Sequence, residues 1–217
     1  MVRAAGSVLL LAVATACGSQ SDAEIPAELL EAIARRSNEL DYPDGPFGGA
    51  VGDIATNICF PTWDDPASQR YASDALAERC LSDYYDPDSR RHRLLFVVSS
   101  AIWCQACQVE FGGSGSLAPL REDVAARRER GLRVWSGLFQ DARGNPATVD
   151  DGVRWAKAFK VDFPFGVDAD FTLGRFAKAD AQPLHMLIDT RTMRIVHKAT
   201  GGNLSLLWEK VDDLLDD

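Results

Sequence analysis

Two cysteines stand three positions apart in Trp103-Cys104-Gln105-Ala106-Cys107. Thiols at this spacing on one helix face each other across a single turn, near enough to close a disulfide. A cysteine at a helix N-terminus meets free N–H groups and the positive end of the helix dipole, and both stabilise a thiolate. The thiolate is the species that attacks disulfides. The pair is therefore read as a thiol–disulfide redox centre.

The flanking sequence supplies elements that can position such a pair. Leu94 to Val98 is a continuous apolar run, as expected of a central strand buried on both faces. Ser99-Ser100-Ala101 follows, then the cysteines, then Gln108 to Phe111 with helical character. Gly112-Gly113-Ser114-Gly115-Ser116 interrupts that helix, and a further helix is predicted from Leu117 to Arg130, stopped by Gly131. Leu132 to Phe139 reads as a second strand. Thr148 and Asp151 form a capping arrangement ahead of an amphipathic helix carrying Val149, Val153, Ala156 and Phe159. Phe163 to Asp168 is extended and Phe171 to Ala177 a short helix. Leu184–Ile188 and Arg194–Lys198 are strands joined by a turn, and Asn203 caps a last helix with Leu204, Leu207, Trp208, Val211 and Leu214 inward. Upstream, Ile54 to Phe60 is a predicted strand, and Cys80 to Tyr85 is expected to run back beside it. Strands alternating with helices imply a parallel sheet with helices on both faces, closed by an antiparallel hairpin. The fold class is α/β with a central mixed sheet.

The chain has 217 residues, 46% hydrophobic and 25% charged, with formal net charge -9. That composition is globular. The acidic balance argues against nucleic acid as a partner and leaves no basic patch for anionic lipid. At the N-terminus, Arg3 precedes the apolar stretch Val8 to Val13, too short to span a bilayer, and then the small residues Ala14-Thr15-Ala16. This order reads as an export signal over residues 1–16. Cys17 follows at once, and the site resembles the lipobox of bacterial lipoproteins, with Ala14 where leucine is usual. The resemblance implies lipid attachment at Cys17. The alternative is an ordinary cleaved signal with Cys17 incidental. Residues 17–50 are read as a tether with a short helix from Pro26 to Arg36 and a Pro/Gly-rich loop. Cys59 and Cys80 remain; in an exported protein they are read as a structural disulfide, or else as two buried free thiols.

From Val51 to the C-terminus (residues 51–217) the chain resembles thioredoxin-fold proteins, and among them the TlpA/ResA branch of exported thiol–disulfide oxidoreductases. The resemblance rests on Val51-Gly52-Asp53, Trp103 to Cys107, Phe163-Pro164 with Asp168, and Pro183 ahead of Leu187-Ile188-Asp189. It implies that Cys104 is exposed and attacks, that Cys107 is buried and resolves the mixed disulfide, and that Trp103 packs beside the pair. It implies a cis bond before Pro183, with the backbone at Gln182 pairing with a substrate strand. It also implies that Glu110, one turn beyond Cys107, handles protons; without the resemblance Glu110 would be read as a solvated helix residue. The implied partners are thiol- or disulfide-containing proteins of the bacterial cell envelope and a membrane electron donor or oxidant. No cofactor beyond the Cys104–Cys107 disulfide and no metal is expected. The chain departs from the family at Ala106, where proline is frequent, at the glycine-rich break, and at Gln182 and Leu184 around the proline. Three alternatives use the same residues. A peroxidase would need Ser or Thr where Ala101 stands. A Cu(I) module could draw on His185 beside the thiols. A lipid-anchored binding protein would carry an inactive pair.

Overall fold

The computed structural model describes residues 42–201 and 204–216. The export signal, Cys17, the predicted helix from Pro26 to Arg36 and the cap at Asn203 lie outside the described residues.

Among the described residues nine strands form one sheet: β1 (Phe47–Gly48), β2 (Ile54–Ala55), β3 (Cys59–Trp63), β4 (Ala77–Cys80), β5 (Leu94–Ala101), β6 (Leu132–Gln140), β7 (Phe165–Val167), β8 (Leu184–Asp189) and β9 (Arg194–Thr200). Their order is β1-β2-β9-β8-β5-β6-β7-β3-β4. Strands β5, β6 and β7 are parallel; β8 runs antiparallel to β5, and β9 to β8. The helices are α1 (Gln105–Gly112), α2 (Leu120–Arg128), α3 (Val149–Phe159) and α4 (Leu204–Asp216).

All eight residues of β5 are buried, as its unbroken apolar run requires. Its side chains alternate between two cores. Leu94, Phe96 and Val98 join Phe111, Leu120, Val124, Trp155, Ala156, Leu207, Trp208 and Val211 from the four helices. Leu95 and Val97 join Ile54, Phe60, Leu81, Tyr84, Leu173 and Ile195 on the opposite side. The expectation of α-helices on both faces therefore needs correction: among the described residues all four contribute to one core. The order of the strands explains this. The crossovers β5–β6 and β6–β7 advance in the same direction along the sheet, and right-handed connections then lie on the same face. The return from β7 to β8 covers the other face, and its helical part is a single 3₁₀ turn, Thr172–Arg175. Asp168 builds that turn, its carboxylate accepting from the Thr172 N–H and hydroxyl and from the Leu173 N–H.

Other differences from the predicted elements have local causes. The strand expected from Ile54 to Phe60 is split, because Ile54–Ala55 joins one edge of the sheet and Cys59–Trp63 the other. The strand expected to start at Cys80 instead ends there. The Asp83 carboxylate accepts from the Cys80 N–H at 2.8 Å, which starts a 3₁₀ turn over Leu81–Tyr84. The helix predicted from Leu117 begins at Leu120, because Pro119 disfavours helical geometry at the residue before it. In the last helix Leu215 is buried along with Leu207, Trp208 and Val211, whereas Leu204 and Leu214 are half-buried. The Thr148–Asp151 capping box is present at the start of α3, with reciprocal side-chain and backbone bonds.

Cys59 and Cys80 face each other in the β3–β4 ladder and are joined by a disulfide. Replacing both with Ser is expected to lower stability by about 3 kcal/mol through the larger unfolded ensemble, read from urea unfolding with the Cys104–Cys107 pair in a fixed redox state. A second expectation concerns pH. His92 is buried and its Nε2–H donates to the Tyr84 carbonyl at 2.7 Å. Burial, which disfavours the imidazolium, holds its pKa below the ordinary value. An unfolded histidine takes up a proton near pH 6.5, so this contribution to stability is complete above that pH and is lost as pH falls through it. His92→Gln is expected to flatten the decline in unfolding free energy between pH 7 and pH 5, the remaining slope including His197, whose pKa burial also lowers.

Candidate active site

Strand β5 ends at Ala101, and two residues later the chain enters α1 with Cys104 as its N-cap. Cys104 is extended (φ -79°, ψ 103°), and its Sγ accepts from the Cys107 N–H at 3.1 Å. The first turn of α1 contains no acidic residue, so no carboxylate on that turn opposes negative charge on that sulfur. Cys104 and Cys107 are joined by a disulfide. Cys107 is fully buried and Cys104 is 5% exposed. The Cys104 sulfur is thus more open than its partner but still sheltered, which departs from the expectation of an exposed thiol: in the oxidised state it is bonded to a cysteine facing the core. Trp103 is 40% exposed, and its indole N–H donates to Gln140 Oε1 at 2.9 Å. That bond fixes the ring at the surface beside the pair, on the far end of β6.

The Gln182–Pro183 peptide bond is cis, and Pro183 leads directly into β8. Gln182 is buried, and its side chain clamps the turn: Oε1 accepts from the Leu184 N–H and Nε2 donates to the Lys178 carbonyl, both at 3.1 Å. Its side chain therefore holds the proline loop in shape. Pro183 also lines a cavity of about 530 Å3 together with Gln105, Ala106, Val109, Glu110 and His185. The two residues between the cysteines, the proline loop and the next turn of α1 thus share one concavity.

Glu110 is 2% exposed, so the plain reading of a solvated helix residue does not hold. Its Oε2 lies 2.9 Å from His185 Nε2, and His185 is equally buried. Glu110 Oε1 has no hydrogen-bond partner among the described residues. The residues singled out from the sequence brought Glu110 to the cysteines but left His185 only as a thiol-side metal ligand; its nitrogen is instead engaged by the carboxylate. The signal was available in strand alternation. Leu184, Met186 and Ile188 pack in the core away from the α-helices, so His185 and Leu187 must face α1. Among the described residues, Cys59, Cys80 and Glu78 bring potential metal-ligand atoms within 4.8 Å of one another, but both sulfurs are committed to a disulfide.

No family model and no curated protein sequence matches the chain. Solved structures do. A protein titled as thiol:disulfide interchange protein DsbE from Chlorobium tepidum matches with a TM-score of 0.55 at 16% identity, covering 76% of this chain and 98% of its own. The thioredoxin domain of a thiol-disulfide oxidoreductase from Bacteroides vulgatus matches at 0.54 and 15% identity, covering 76% and 98%. The reduced 2-Cys peroxiredoxin of Plasmodium vivax matches at 0.55 and 12% identity, covering 75% and 80%. The chain is a thioredoxin-fold protein with a Cys-x-x-Cys pair at the start of its first described α-helix. Within that class, two of these structures carry thiol–disulfide names and one a peroxidase name.

Gln182→Ala removes both clamp bonds and leaves the buried Leu184 N–H without its acceptor. The expected cost is about 1–3 kcal/mol, measured by chemical denaturation of the oxidised protein.

Proposed function

We propose that the protein is a thiol–disulfide oxidoreductase that uses Cys104 and Cys107 to reduce or exchange disulfides in other proteins. The observation that carries this reading is the disulfide between an N-cap cysteine and a cysteine one turn along, with the Cys107 N–H directed at Cys104 Sγ. In the reduced state the same N–H and the helix dipole favour a thiolate at Cys104. That thiolate attacks one sulfur of a partner's disulfide and forms a mixed disulfide. Cys107 then attacks Cys104 and releases the partner's second thiol. The cis-proline loop beside the pair gives the partner a backbone to lie against at Gln182, and exposed Trp103 an apolar surface to meet.

The compartment and partners belong to the same proposal. An export signal over residues 1–16, a lipid at Cys17, a tether over residues 17–50 and a redox domain from residue 51 would hold the pair at the membrane of a bacterial cell envelope. The substrates would be thiol- or disulfide-containing envelope proteins, and a membrane electron donor or oxidant would reset the pair. No helix among the described residues is long and apolar enough to cross a membrane.

The test is insulin reduction together with reoxidation of a reduced model protein. Activity in either direction is expected, with complete loss in Cys104→Ser and accumulation of a covalent protein–substrate adduct in Cys107→Ser. Absence of activity in both directions, with no adduct, would leave a binding protein with an inert disulfide. Fast peroxide consumption as the dominant turnover would make it a peroxidase. Equilibration of the pair against glutathione then gives direction: about -270 mV marks a reductant and about -120 mV an oxidant.

A further inference from the structure

The cavity beside the cysteines ends on two buried ionisable groups from different elements. Glu110 comes from α1 and His185 from β8, and their side chains meet at 2.9 Å with each 2% exposed. A lone carboxylate or imidazolium at this depth would bear a full desolvation cost. Together they carry no net charge when they share one proton, whether on the carboxylate or on the imidazole. Glu110 Oε2 is taken up by His185, while Oε1 has no partner among the described residues. The pair is therefore asymmetric: one carboxylate oxygen is engaged by His185 and the other has no partner among the described residues. Cys107 lies one turn before Glu110 on the same helix and is itself fully buried. A buried thiol that must become a nucleophile needs an acceptor for its proton, because the thiolate is the attacking species.

We infer that His185 is the positioning partner of Glu110, holding its carboxylate so that Oε1 can take the Cys107 proton while the pair acquires no lasting charge. This rests on the oxidoreductase reading above. In the resolving step a bond joins Cys104 Sγ to a sulfur of the partner. The Cys107 S–H proton passes to Glu110 Oε1, and the electron pair left on Cys107 Sγ forms the bond to Cys104 Sγ. The bond from Cys104 to the partner breaks, its electron pair leaves on the partner's sulfur, and that sulfur takes a proton from water. The partner's disulfide is thereby reduced and the Cys104–Cys107 dithiol oxidised. The imidazole then releases one proton towards the cavity, so the Glu110–His185 pair again holds one. Two further described residues stand beside His185 or its neighbour His197, and a third against the His185 ring. His197 on β9 interacts with it electrostatically, and Lys210 on α4 interacts with His197. The β5 side chain recorded against its ring is uncharged, the Phe96 ring at 5.6 Å.

The test is a pH profile. Resolution of a preformed mixed disulfide is followed by rapid mixing from pH 5 to pH 8 in wild type, Glu110→Gln, His185→Gln and the double variant. Glutamine keeps an N–H donor for Glu110 but does not titrate. Glu110→Gln is expected to slow resolution by about a hundredfold, the lower end of what a positioned acid–base group contributes. His185→Gln is expected to slow it about tenfold, as for other partners that orient an acting group, and to flatten the profile. The double variant is expected to be no slower than Glu110→Gln alone. A His185→Gln profile that follows wild type at every pH would overturn the inference, as would full additivity of the two substitutions. Where the Gln variant does not fold, His185→Asn carries the same comparison. Wild type failing to form or resolve any mixed disulfide would instead remove the oxidoreductase reading, so the two failures are distinguishable.

Discussion

Everything in this molecule hangs on the burial of β5. Its eight residues are out of water on both faces and paired on both edges, to β6 in parallel and to β8 antiparallel. A strand so enclosed cannot shift register without exposing apolar side chains or unpairing its backbone. Its C-terminal end is therefore a fixed point. The cysteine pair leaves from that end, and the cis-proline leads into the adjacent strand β8, so the two meet without either depending on a flexible loop. The histidine that faces Glu110 is likewise placed by β8, directly opposite Val98 of β5.

The strong local signals of the sequence carried the centre of the fold. The apolar run of β5, the β8–β9 hairpin and the capping box at Thr148 read correctly because each is decided by neighbours in sequence. What was harder to read depends on partners far along the chain. The break between Ala55 and Cys59 follows from which edge of the sheet each half joins. The placing of the four described α-helices in one core follows from strand order, which periodicity does not encode. At the site, the cysteines were legible as a motif, and Pro183 and Glu110 through a family likeness. The Glu110–His185 contact spans 75 positions. It was accessible in principle from the alternation of β8, but only once the face carrying α1 was known.

The site also shows how polar groups are tolerated in a tightly packed interior. Glu110, His185 and Cys107 are all buried, and the Glu110 and His185 side chains meet at 2.9 Å. The rest of that core is aromatic and aliphatic: Phe111 packs against Trp155, Phe159, Phe163 and Phe165. Such surroundings make an unpaired charge costly and a neutral pair acceptable. The cavity opens beside this core where the proline loop and the residues between the cysteines come together.

The Cys59–Cys80 bridge has a consequence under the oxidoreductase reading proposed above. An attacking thiolate is indifferent to whose cystine it meets, so a chain with two disulfides is at risk of reshuffling its own. Here one sulfur of the second bridge belongs to a residue with no solvent exposure. The bridge lies in the outermost hairpin of the sheet, with β6 and β7 between it and the strand that carries the redox pair. At strand spacings of about 5 Å, this separation is far beyond the reach of a cysteine side chain. The fold thus keeps the Cys59–Cys80 staple away from the Cys104–Cys107 pair.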